Sequence, residues 1–247
     1  MVPRGSYDAD LRAHLIGKAT PKRAETAFAS AAVFVARAHH AQRVVAQRKD
    51  RGSVVAGPSP SQAERHAEEV RRHMSREERI EDGLALLRQR IAFVGVKVVH
   101  MEDDGNCQFR SLAHELYGSQ EHHAAVRRRV VEWMTARRDE YSFFVGDDAE
   151  FSEYLEKMAK SRTWGDELSL RAACDAYGCV IHVVTTEHEN WLINYSPSSL
   201  EISAGDWPRD GDLPAGTREC FLAYVSPIHY NVIAPLDSEE PASLTGY

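Results

Sequence analysis

Up to Gly178 the apolar positions recur mostly at helical spacing, and beyond it they gather into short β-branched runs. Residues 7–47, rich in Ala, Arg and His, predict one or two helices, with Phe28 to Ala38 the clearest part. Residues 48–60 carry Gly52 and the run Pro58-Ser59-Pro60 and read as a linker. Two capping boxes follow: Ser61 with Glu64 and Ser75 with Glu78 each start a helix. Ala63, Ala67, Val70 and Met74 keep helical spacing in the first, and Ile80, Leu84, Leu87 and Ile91 in the second. Val94 to His100 predicts a strand, and Asp103-Asp104-Gly105-Asn106 a turn. Phe109, Leu112, Ala113 and Leu116 predict a helix that begins near Cys107 and stops at Gly118. Ser119 can cap another, with His123, Val126, Val130 and Trp133 as its buried stripe. Phe151, Tyr154, Leu155 and Met158 mark the next helix, and Asp166 to Tyr177, closed by Gly178, the last. Cys179–Thr186, Trp191–Tyr195, Glu219–Val225 and Tyr230–Ile233 then read as strands.

Helices first and strands afterwards predict an α+β or α/β/α-like domain over residues 61–235, with 7–60 as a helical extension and linker. Residues 236–247 read as a frayed tail, and residues 1–6 as a protease-tag remnant. Composition changes this picture little. A hydrophobic share of 43% and a charged share of 27% fit a globular chain. The net charge of -7 argues against nucleic acid as the partner. No apolar run reaches the roughly 18 residues of a membrane span, and no secretory leader is evident. Cys107, Cys174, Cys179 and Cys220 form no CxxC pair and no zinc ladder. Reduced thiols in a cytoplasmic or nuclear setting are expected, with no metal or other cofactor and a monomeric chain.

The chemistry concentrates at Asp104-Gly105-Asn106-Cys107-Gln108-Phe109-Arg110-Ser111. A thiol attacks as thiolate, and a helix N-terminus favours the negative charge. Cys107 stands where such an N-terminus is predicted, Gly105 permits a tight turn before it, and N–H groups around it can form an oxyanion hole. A buried structural cysteine fits that segment equally well. Far along the chain, His229-Tyr230-Asn231 opens the last strand. Asn231 lies two residues on, hence on the same face as His229, and can fix its tautomer. Taken alone, a surface histidine is the simpler reading, since the chain has 12 histidines. A cysteine followed at long range by a histidine is nevertheless the order that many cysteine peptidases use.

Asp104-Gly105-Asn106-Cys107 with Phe109-Arg110, then Trp164-Gly165, then His229-Tyr230-Asn231 resembles the ovarian-tumour (OTU) family of deubiquitinating cysteine peptidases. The run Val126-Arg127-Arg128-Arg129-Val130-Val131-Glu132 is most similar to the plant and protist branch. The likeness covers about Val94 to Ile233 and not residues 7–60. It implies a papain-like domain with a small central sheet flanked by helices, acting on the isopeptide bond after the Gly-Gly tail of ubiquitin. By resemblance, Cys107 is the nucleophile, His229 the general base, Asp104 the motif aspartate at the oxyanion loop, and Asn231 the residue that orients the histidine. Asn231 is neutral, so it can orient an imidazolium without offsetting its charge. Gly105 and Asn106 fall in the oxyanion loop. Trp164 and Gly165 fall where the family lines or buttresses the tail channel, although Trp164 as core and Gly165 as a turn is an equal alternative. The implied partner is ubiquitin or polyubiquitin.

Arg110 reads as structural, Cys174 and Cys179 as small core residues, and His182 as a satisfied histidine. Ser203 to Thr217 reads as a loop near the substrate entrance or a plain connection. Two other functions remain open: a ubiquitin-binding module with little turnover, for which Asn231 in place of a carboxylate is the hint, and a peptidase for another ubiquitin-like modifier. Chain-linkage preference is not encoded in any motif.

Overall fold

The computed structural model describes residues 73–94, 96–187, 191–200, 213, 216–225 and 228–236. The expected helices in 7–47, the linker, the helix at Ser61, most of the loop 203–217 and the tail after Leu236 lie outside the described residues.

Helix α1 spans Arg76–Val94. Its start is the expected capping box: the Glu78 carboxylate accepts from the Ser75 N–H at 2.7 Å, and the Ser75 hydroxyl accepts from the Glu78 N–H at 3.2 Å. Strand β1 follows as Val96–Val99. It begins later than the sequence predicts, because helix α1 runs on through Val94. Helix α2, Cys107–Tyr117, is buried on nearly every side through its first two turns. It ends at Gly118, whose φ of 73° lets its N–H close onto the His114 carbonyl at 2.7 Å.

Ser119 caps a 3₁₀ turn, Gln120–His122, rather than the helix itself, and α3 runs His123–Ala136. The fully buried stripe of α3 is Val126, Val130 and Met134, with Arg127 also inside. His123 and Trp133, expected on that stripe, are half-buried. The stripe is turned toward Arg127, while the Arg137 guanidinium lies 3.3 Å from the Trp133 ring centre. A short helix α4, Arg138–Tyr141, and a 3₁₀ turn, Ser142–Phe144, were not legible from spacing. Helix α5, Asp148–Met158, starts from an Asp147/Glu150 capping box and buries Phe151, Leu155 and Met158. Helix α6, Glu167–Tyr177, takes Asp166 as its N-cap and Gly178 as its left-handed stop.

Strands β2 (Cys179–Thr185), β3 (Leu192–Tyr195), β4 (Arg218–Val225) and β5 (His229–Pro235) complete a five-stranded sheet in the order β1-β5-β4-β2-β3. Only β2 and β4 run parallel. Every residue of β2 is buried, as expected for a strand covered on both faces. Cys179, Ile181, Val183, Cys220 and Leu222 pack with Phe109 and Leu112 of α2 and with Val126 and Val130 of α3. On the opposite face Val184, Phe221, Ala223 and Ile233 pack with Leu87 and Ile91 of α1. The sheet therefore lies between helical layers, in agreement with the expected α+β, α/β/α-like class.

Register positions the site. β1 pairs antiparallel with β5, Val99 facing Val232. Continued one residue at a time, that pairing carries the chain after β1 past Asn231, Tyr230 and His229 before it turns into α2. The cysteine loop and the start of β5, remote in sequence, become neighbours in this way.

Candidate active site

Cys107 opens α2 and is buried, with 8% of its surface exposed. The first helical bond runs from the Arg110 N–H to the Asn106 carbonyl at 2.9 Å, so the N–H groups ahead of it have no intrahelical acceptor. Those of Cys107 and Gln108 face the thiol, as does the N–H of Tyr230 from β5, and all three favour the thiolate. Burial opposes them and dominates, and the Asp103 carboxylate adds to it, so the Cys107 thiol is pushed above its ordinary value. The helix start thus favours the thiolate as expected, and burial outweighs it. In the free protein the Cys107 sulfur is held toward the thiol form.

His229 begins β5 beside the same strand residue whose N–H meets the sulfur. Its Nδ1 is buried, with no hydrogen-bond partner, and lies 3.5 Å from Asp103 Oδ1. Asn231, expected to orient the imidazole, is buried as well. Its side-chain oxygen instead accepts the Met101 N–H at 2.9 Å. That bond extends the β1–β5 pairing into the loop, and among the described hydrogen bonds none joins Asn231 to His229.

Asp104 holds the loop rather than the histidine. Its carboxylate accepts from Arg110 Nε at 3.2 Å and Nη2 at 2.9 Å, from the Asn106 N–H at 2.9 Å and from Asn106 Nδ2 at 2.8 Å. The Arg110 guanidinium, followed by the Asn106 donors, keeps this carboxyl far below the usual carboxylate range. Arg110 is 5% exposed and also meets Glu102 at 2.6 Å, which makes it structural, as expected. Asn106 is a hub. Its side-chain oxygen accepts from Arg127 Nη2 at 2.9 Å and from the Arg162 N–H at 2.8 Å. With its own N–H given to Asp104, Asn106 cannot serve as the oxyanion donor expected of it, and Cys107 and Gln108 are the available ones. Gly105 has φ +82°, and a Cβ there would stand 2.9 Å from the Arg162 carbonyl oxygen. Both facts require glycine.

Arg127 escaped the sequence reading as a site residue. It is 3% exposed, its ring contact is Phe109 at 4.0 Å, and it donates to the carbonyls of Met158 at 2.9 Å and Thr163 at 2.8 Å. Burial lowers its guanidinium to about 10. A lone arginine on an otherwise apolar helical stripe was the available signal.

Trp164 is 57% exposed, which excludes the core reading. Gly165 presses against helix α2: a Cβ would stand 2.0 Å from Gln108 Oε1. Gln108 is fixed in turn by the Ser169 hydroxyl at 2.7 Å and the Asp166 carbonyl at 3.0 Å. Trp164-Gly165 thus buttresses the segment after Cys107 and exposes an aromatic surface beside it. Cys174 and Cys179 are wholly buried, and His182 is held by Asn194 and Glu219, each at 2.8 Å, in agreement with their structural readings; Cys220 is wholly buried as well.

Residues 102–205 match the family model described as OTU-like cysteine protease. Three Arabidopsis thaliana relatives are OVARIAN TUMOR DOMAIN-containing deubiquitinating enzymes. Enzyme 10 is 38% identical over 60% of this chain and 37% of its own length. Enzyme 9 is 33% identical over 65% and 42%, and enzyme 11 is 33% identical over 59% and 53%. The chain thus spans about half or less of these relatives. The matched segment holds Cys107, its loop and the Trp164-Gly165 buttress, so the likeness to the OTU-like cysteine protease model covers the cysteine side of the site.

Proposed function

We propose that the protein is a deubiquitinase hydrolysing the amide or isopeptide bond after the C-terminal Gly-Gly of ubiquitin. The observation that carries this reading is the thiol of Cys107 at a helix start, facing the backbone of the strand that His229 opens. The relatives' names supply the substrate class. His229 takes the Cys107 proton as the sulfur attacks the scissile carbonyl, and the N–H groups of Cys107 and Gln108 donate to the developing oxyanion. The imidazolium returns its proton to the leaving lysine amine, which departs as the thioester forms. Water, deprotonated by His229, then attacks the thioester, releasing the ubiquitin carboxylate and restoring the thiol. Polyubiquitin is the proposed natural form of the substrate. The four reduced thiols favour a reducing compartment, cytoplasm or nucleus.

The resting thiol and the absence of an Asn231–His229 bond support a second reading, a ubiquitin-binding module with little turnover. Hydrolysis of ubiquitin aminocoumarin amide and of a panel of linked diubiquitins separates the two. Under the first reading wild type cleaves, His229→Ala loses about 10²- to 10⁴-fold, and Cys107→Ala binds without cleaving. Tight binding with no cleavage of any linkage establishes the module instead.

A further inference from the structure

The two polar residues expected to serve the histidine or the cysteine loop, Asp104 and Asn231, are both engaged elsewhere. Asp104 is saturated by Arg110 and Asn106. The Asn231 side-chain oxygen accepts the Met101 N–H. His229 Nδ1, cut off from water and without a hydrogen-bond partner, faces a different carboxylate, that of Asp103 at 3.5 Å. This placement follows from topology: Val99 pairs with Val232, so the residues after β1 run back along β5 toward His229.

We propose that Asp103 is the positioning carboxylate of the site: it closes onto the Nδ1–H of His229 and aims the other ring nitrogen at Cys107, a role that rests on the hydrolase reading. A small rotation of the Asp103 side chain, which is 85% exposed and has room to move, shortens the 3.5 Å separation to hydrogen-bond length. Nδ1 needs an acceptor when the ring takes a proton, because a buried N–H without one is costly. The carboxylate also offsets the imidazolium charge, which the neutral Asn231 cannot do. Asp103 carries a cost in the free protein, where its charge is one of the causes that hold the thiol protonated. Removing it therefore makes the sulfur easier to ionise and the histidine harder to aim, and a merely structural residue would not separate these effects.

The test compares wild type, Asp103→Ala and Asp103→Asn on the full chain with three measurements. The first is kcat on ubiquitin aminocoumarin amide. The second is deacylation after p-nitrophenyl acetate, in which the Cys107 sulfur takes the acetyl group, p-nitrophenolate leaves, and His229 removes a proton from the water that releases acetate. The third is the pH profile of Cys107 alkylation by iodoacetamide. Asp103→Ala is expected to slow kcat and deacylation roughly tenfold, well short of the ~10⁴ of a buried triad carboxylate. Its alkylation profile moves to lower pH. Asp103→Asn, which keeps an acceptor oxygen, recovers part of the deacylation rate. Wild-type deacylation in Asp103→Ala overturns the assignment, as does a parallel fall in deacylation and alkylation. Slowed deacylation with no wild-type cleavage of the ubiquitin substrate leaves Asp103 in place and removes the ubiquitin reading instead.

Discussion

At the scale of single residues, the neighbours of Cys107 are held by hydrogen bonds while the thiol itself is kept protonated. Burial and the Asp103 charge hold Cys107 as a thiol. Its alkylation by iodoacetamide should therefore reach half its maximal rate above the ~8.5 of a free cysteine. Half-maximal reaction near pH 7 would show that the thiolate is preformed. Asp104 gives the opposite sign. Its folded carboxyl titrates below the ~3.9 of the unfolded chain. Its contribution is thus complete above pH ~4 and is lost as pH falls through the folded value. Asp104→Asn should be less stable than wild type at neutral pH, and the gap should narrow in acid; urea titrations at pH 7 and pH 3 read this. Gly165 is glycine for space alone, since its backbone is not left-handed. In Gly165→Ala the new methyl displaces Gln108 from Ser169 and Asp166, two bonds worth about 1 kcal/mol each. A thermal melt unchanged by that substitution would contradict the buttress.

At the scale of elements, one arginine ties three segments together. Arg127 of α3 reaches Asn106 before α2, Met158 at the end of α5 and Thr163 before α6. Arg127→Ala should cost about 3 kcal/mol or more, because it strands buried acceptors. Arg127→Lys should recover little, since an ammonium cannot fork to several acceptors. Equilibrium denaturation measures both. Legibility in the sequence follows the same lines. Phe109, Leu112, Ala113 and Leu116 announced α2 because a buried helix leaves an apolar stripe, and Gly118 and Gly178 announced stops because only glycine is easy in the left-handed region. The Ser75/Glu78 box was readable because capping is local. Helix α4 was not, being a single turn without room for a period. Trp133 was placed on the buried stripe because spacing cannot see the turn of α3 toward Arg127. Asn231 was assigned to His229 by strand alternation, which gives the face and not the partner; the Met101 N–H is a tertiary competitor no spacing reveals.

At the scale of the whole molecule, a five-stranded sheet covered on both faces brings a cysteine after β1 to a histidine on β5. That juxtaposition depends on the β1–β5 register, and it was legible only as two short motifs in order. Helix α1 seals the second face through Leu87 and Ile91. Leu87→Ala should cost about 2–5 kcal/mol by opening a cavity there. The four thiols are free, so added reductant should leave the melting temperature unchanged. The proposed pairing of Cys107 with a ubiquitin tail is tested most directly by mass spectrometry of the protein after incubation with ubiquitin bearing a C-terminal vinyl sulfone. One adduct, mapped to Cys107 and lost in Cys107→Ala, is expected. No adduct under reducing conditions, or an adduct that survives Cys107→Ala, would contradict it.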